Sequence, residues 1–98
     1  MPPPKRAKED ILAVMLIVLS IFPGKSIYFF MDKVNTSHTQ FKRYFELLQW
    51  RKLIAREADG VWVVTDKGKQ YLKAYEQMMQ ILGKDAETEN LRQRLTEA

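Results

Sequence analysis

LIAREADGVWVVTDKGKQYL, residues 53–72, decides how this chain folds. Two short extended runs, LIAREA at 53–58 and VWVVT at 61–65, flank Asp59-Gly60. An Asp-Gly pair between such runs signals a hairpin, because a tight two-residue turn needs positive φ. Thr65-Asp66 then supplies helix-cap chemistry. Tyr71, Tyr75, Met78 and Leu82 follow at steps of four, three and four, with Leu72 and Met79 beside them, which predicts a helix over 66–82. Gly83-Lys84-Asp85 ends or breaks it.

Upstream lies NTSHTQFKRYFELL, residues 35–48, whose Phe41, Tyr44, Phe45 and Leu48 share one helical face. Thr36 and Ser37 are good starters for that helix, which should fray around Arg51-Lys52. Before it, Ile27, Phe30, Met31 and Val34 fall at helical spacing and predict a second, shorter helix in KSIYFFMDKV. Residues 8–22 are apolar nearly all round, as the central helix of a small bundle would be, and Pro23-Gly24 stops them. Three prolines and basic residues at the start read as a mobile arm. At the far end, Leu91 and Leu95 allow either a short amphipathic turn or two, or disorder. The order is helix, helix, turn, helix, two-stranded hairpin, helix, which is that of a winged helix-turn-helix.

The bulk properties agree. Ninety-eight residues, 46% hydrophobic and 29% charged, suit one globular domain with a modest core. There is no cysteine, which removes disulfide and thiol chemistry and the usual zinc sites. The net charge of +4 is uneven: residues 1–84 hold 14 basic against 8 acidic side chains, and residues 85–98 hold 2 against 4. A basic body favours a polyanionic partner. Lys5, Arg6 and Lys8 ahead of ILAVMLIVLSIF, residues 11–22, imitate a secretion signal. That run has 12 residues where a membrane span needs ~20, and Glu9 and Asp10 at its entrance suit a helix N-terminus, so a buried core helix is expected.

Residues 11–82 resemble archaeal-type winged-helix DNA-binding proteins that dimerise through a long last helix. The matching stretches are NTSHTQFKRYFELL, then KLI entering the first strand, then VVTDKGKQYLKAYEQM. The telling pieces are Leu53-Ile54 and the Thr65-Asp66-Lys67-Gly68-Lys69 helix start followed by Tyr71-Leu72. The segment between Ile27 and Asn35 is a few residues longer than in that family, and Gly83-Lys84 interrupts a helix that often runs on as a coiled coil. The resemblance implies a homodimer on double-stranded DNA.

The expected fold is therefore mainly α with a small β-hairpin: a three-helix core, a two-stranded wing and a long C-terminal helix. Residues 1–7 would be a flexible basic arm, 8–65 the winged-helix domain, 66–83 the dimerisation helix and 84–98 a short tail. A recognition helix enters the major groove with its N-terminal part. Gln40 could then bond an adenine edge, and Arg43 a guanine or a phosphate. Ser37, His38, Thr39 and Lys42 would hold the backbone, joined by Lys25 and by Arg56 on the wing. The same residues also fit the solvated side of an ordinary amphipathic helix. The acidic wing tip, Ala58-Asp59-Gly60, is poor for lying along phosphates, and Val61, Trp62 and Val63 make a purely structural hairpin equally apt.

His38, the only histidine, has no second ligand for a metal and no nucleophile nearby, so it reads as a DNA or solvent contact. Trp50 and Trp62 are expected in the core or an interface. GKS at 24–26 lacks the glycine that a phosphate-binding loop places five residues earlier, where Leu19 stands. A helix over 66–82 spans ~25 Å, longer than a three-helix core can cover. The stripe of Tyr71, Leu72, Tyr75, Met78, Met79 and Leu82 would then pair with the same helix of a second copy, or fold back across its own domain. No cofactor, small-molecule ligand or membrane partner is evident, and no catalytic constellation converges. The chain reads as a cytoplasmic, nucleoid-associated DNA-binding regulator or chromatin factor. The rivals are a winged helix used only for protein contacts and a regulator tethered to a membrane through residues 11–22.

Overall fold

The computed structural model describes residues 8–34 and 36–97. The basic arm expected at residues 1–7 lies outside them. In chain order the elements are α1 (Lys8–Ile21), α2 (Ile27–Val34), α3 (His38–Trp50), β1 (Ile54–Arg56), β2 (Trp62–Val64), α4 (Asp66–Ile81) and α5 (Asp85–Thr96). The fold is mainly helical, with a two-stranded antiparallel hairpin.

α1 is the central rod. Its residues Ile11 to Ala13 and Met15 to Leu19 are buried, because α2, α3, α4, α5 and β2 all pack around it. A helix enclosed on every side has no use for a polar face, which explains an apolar run too short to be a membrane span. No helix among the described residues is long and apolar enough to cross a membrane. Glu9 and Asp10 occupy its first turn, where carboxylates complement the helix dipole. Gly24 then takes the left-handed conformation, φ +81°, that lets the chain reverse after Pro23.

α2 buries Phe30 and Val34, with Met31 partly covered. Ile27, expected on the same face, is 42% exposed, because it opens the helix beyond the end of the core. Phe22 meets Phe29 edge-on at 5.0 Å, closing the α1–α2 corner.

The sheet pairs Ile54 with Val64, Ala55 with Val63 and Arg56 with Trp62. Leu53 and Ile54 are buried, and Trp62 packs edge-on against Phe45 of α3 at 5.2 Å. The two-residue turn expected at Asp59-Gly60 is instead a three-residue loop, Ala58 to Gly60. Glu57 N–H bonds Val61 C=O, Gly60 N–H bonds Glu57 C=O, and Gly60 has φ +85°. This is the longer hairpin connection that places glycine at its left-handed position. The Asp59 carboxylate accepts from Val61 N–H at 3.1 Å.

α4 begins on a Thr65 cap whose hydroxyl accepts from Gly68 N–H and donates to Lys52 C=O. It ends in a Schellman turn: Gly83 has φ +73°, its N–H reaches Gln80 C=O, and Lys84 N–H reaches Met79 C=O. α3 ends the same way. Lys52 N–H bonds Gln49 C=O and Leu53 N–H bonds Leu48 C=O, so this helix stops sharply where fraying was expected. Lys52 carries the turn with φ 61°, a conformation glycine would adopt with less strain.

Past Gly83 the chain returns as α5 instead of remaining unstructured. Leu95 is buried and Leu91 packs against the core, bringing α5 onto α1 and α4. Arg92 pairs with Glu76 across the α4–α5 seam, on a partly exposed surface where such a pair contributes little.

Candidate nucleic-acid interface

α3 is organised by its two faces. Phe41, Phe45 and Leu48 are buried, and the rings of Phe41 and Phe45 stack at 5.7 Å, so this side is anchored in the core. Ser37 caps the helix by accepting from Gln40 N–H at 3.2 Å. The opposite side is free of packing duty: Ser37, His38, Thr39, Gln40, Lys42 and Arg43 are all exposed. Helical spacing places Thr39, Lys42, Arg43, Glu46 and Gln49 on that outward side, so one rigid rod presents hydroxyl, cationic and amide groups together.

Gln40 has a further constraint. The Thr36 hydroxyl donates to its side-chain oxygen, drawing the amide back over the helix start. A bidentate contact with adenine needs that oxygen as an acceptor, so Gln40 must use its second lone pair or release Thr36.

The two candidates outside α3 stand on other elements. Lys25 lies in the α1–α2 connection with its ammonium 5.6 Å from the centre of the Phe29 ring. Arg56 is exposed at the open end of β1, and its Nε donates to Gly60 C=O at 3.4 Å, so its guanidinium is folded over the wing. Within this arrangement Arg56 braces the wing tip beside Asp59.

A group at the far end of α3 escaped the sequence reading. Trp50, expected to be packed, is 71% exposed, with the Arg51 guanidinium 4.6 Å above its ring. Arg51 and Lys52 are exposed there too, and Lys67 from α4 donates to Arg51 C=O at 2.9 Å. The outward side of α3 thus ends in a cationic cluster carrying an aromatic platform. The signal was present in spacing alone, since Trp50 follows Arg43 by seven residues and therefore shares its side of the helix.

The stripe assigned to a dimer interface divides. Leu72, Tyr75 and Met79 are buried within the chain's own core, and Tyr71 is partly covered. The stripe is therefore not left wet along its length, because α1 and α5 cover its inner side. Tyr75 donates to the Asp10 carboxylate at 2.6 Å and Tyr71 to the Glu9 carbonyl at 2.7 Å, tying α4 to the start of α1. Burial raises both phenol pKa values: Tyr71 is pushed up to about 12, with the charges of Glu9 and Asp10 adding to the effect. Tyr75 is raised further, by burial and then by its bond to Asp10. Both rings stay neutral hydrogen-bond donors at ordinary pH. What remains open at the end of α4 is Met78, 44% exposed, with Leu82 at 58% and the unanticipated Ile81 at 85%.

The family model for winged helix-turn-helix domains matches residues 5–83. The chain belongs to the winged helix-turn-helix family. No curated protein and no solved structure matches it. The matched span closes at the Gly83 turn, so the winged helix comprises α1 to α4 with its hairpin, and α5 lies beyond it.

Proposed function

We propose that this winged-helix protein binds double-stranded DNA by laying the outward side of α3 in the major groove. The observation that carries the reading is the division of labour on α3: one side is locked into the core, and the other is exposed, polar and mainly cationic, with Glu46 its one carboxylate and Trp50 at its end. Lys42 and Arg43 sit mid-helix to meet phosphate or guanine, and Ser37, His38 and Thr39 at the N-terminus fix the register. Arg51, Lys52 and Lys67 extend the cationic surface toward the neighbouring backbone. Affinity arises chiefly from phosphate contacts, and a few side chains of α3 confer sequence preference. The mechanism is binding alone, in the service of transcription regulation or chromatin organisation.

We further infer a homodimer joined at the C-terminal end of α4. Met78, Ile81 and Leu82 follow one another at steps of three and one, forming an exposed apolar knob beyond the core. A two-fold pairing there would present two copies of α3 to half-sites about one duplex turn apart, ~34 Å.

The test is fluorescence anisotropy of a labelled duplex titrated at several salt concentrations. Binding should weaken steeply with salt. Lys42→Ala with Arg43→Ala should lower affinity and reduce the salt slope by roughly 2. Both side chains are exposed, so the variant keeps its fold. An unchanged slope would overturn α3 as the docking element, and no binding at low salt would favour a protein partner. Sedimentation equilibrium of Ile81→Glu with Leu82→Glu tests the dimer separately. A wild type that is monomeric at high protein concentration would refute it.

A further inference from the structure

The return of α5 builds a feature that no part of the winged helix needs. Between α1, α2, α4 and α5 lies a half-open cleft of about 490 Å³, within the size range of small-molecule sites. Its floor is apolar, formed by Val14 and Ile17 of α1, Val34 of α2, Met79 of α4, and Leu91 and Leu95 of α5. Its rim is cationic on two sides, with Lys84 at the turn into α5 and Arg94 on α5 itself. Lys33 joins them from α2, but its ammonium is engaged over the Phe29 ring at 5.4 Å.

The charges in the cleft are unevenly matched. Among the described residues the one ion pair is Arg92 with Glu76, so neither Lys84 nor Arg94 has a carboxylate within salt-bridge distance. Asp10 is committed to the Tyr75 hydroxyl. Glu87 also lines the cleft and opposes an anion, leaving three cations against two carboxylates. The Thr88 hydroxyl, half-buried on the same wall, makes no hydrogen bond among the described residues. An apolar floor beneath two unpaired cations and a free hydroxyl suits a small anion with an apolar body, such as a carboxylate held at the rim by Lys84, Arg94 and Thr88.

We propose that this cleft binds an amphipathic organic carboxylate, aromatic or medium-chain. The site is independent of the DNA reading, since none of its lining residues is assigned to DNA and it is tested without nucleic acid. Isotope-edited NMR titration of the full chain with 2-naphthoate, and with 2-naphthamide as its uncharged counterpart, provides the test. Shifts for 2-naphthoate should fall on Val14, Met79, Thr88 and Leu91. 2-Naphthamide should bind about tenfold more weakly, for loss of the charge-assisted contacts. Lys84→Gln with Arg94→Gln, both exposed positions, should weaken 2-naphthoate by about tenfold and leave 2-naphthamide unchanged. The inference is overturned if 2-naphthoate does not bind at millimolar concentration, if acid and amide bind alike, or if the shifts map outside the cleft.

Discussion

Gly68 lies in the first turn of α4, where an alanine would ordinarily strengthen a helix by about 1 kcal/mol. Here the added methyl would stand 2.2 Å from the Leu53 carbonyl oxygen and 2.6 Å from Val64 Cγ1. Neither neighbour yields cheaply. Leu53 C=O is backbone and also accepts the Thr65 N–H at 3.1 Å, and Thr65 caps the same helix through Gly68 N–H. Overpacking costs ~1–3 kcal/mol, and a contact against backbone belongs at the upper end of that range. A weakened Leu53–Thr65 hydrogen bond adds ~1 kcal/mol. Less the helical gain, Gly68→Ala should destabilise the fold by ~2–3 kcal/mol. In a domain of this size that lowers Tm by roughly 10–20 °C. Urea unfolding followed by circular dichroism reads the change directly, with Gln70→Ala, at an exposed position two residues on, as the control. A Gly68→Ala variant as stable as the parent would refute the close approach of α4 to Leu53 and to Val64 of β2.

Three further outcomes follow from the same packing. Lys52→Gly should raise stability by about 0.5–1 kcal/mol by relieving the left-handed strain at the end of α3; a loss of stability in urea titration would contradict this. Leu95→Ala should cost ~2–4 kcal/mol if α5 is a full member of the core, whereas a change near zero would mean that α5 does not dock. At high pH the unfolded chain releases its tyrosine protons near 10.0, while the folded chain keeps that of Tyr71 to about 12. Stability contributed by Tyr71 and Tyr75 is therefore complete below that lower value and declines as pH rises above it. Tyr71→Phe with Tyr75→Phe should flatten the alkaline decline, and an equally steep loss in the double variant would show that these phenols do not cause it.

Much of the fold was legible because its signals are local. The caps at Ser37 and Thr65 stand before the helices they start, and their hydroxyls accept the expected N–H groups. The stop at Gly83 and the turn at Gly60 follow from the backbone freedom of glycine. The outward side of α3 was likewise readable, since spacing alone separates Phe41, Phe45 and Leu48 from Lys42 and Arg43. Even Trp50 obeyed that rule, although its size suggested burial. The side-chain bond from Thr36 to Gln40 was not legible, because rotamer choice between two exposed polar groups leaves no trace in a pattern of hydrophobicity.

The sequence by itself determined which surfaces of α1 to α4 are apolar and roughly where those helices begin and end. Only the tertiary structure decided what covers those surfaces. Tyr71, Leu72, Tyr75 and Met79 form a stripe that any helix could bury, and a periodicity cannot name its partner. Here α1 and α5 take the inner side, leaving Met78, Ile81 and Leu82 at the end. Leu91 and Leu95 were too sparse a pattern to establish a helix alone. Twelve residues of α5 hold together because Leu95 finds the core and Leu91 packs against it. The cleft arises from that same docking, since its walls come from four helices brought together only when the chain has folded.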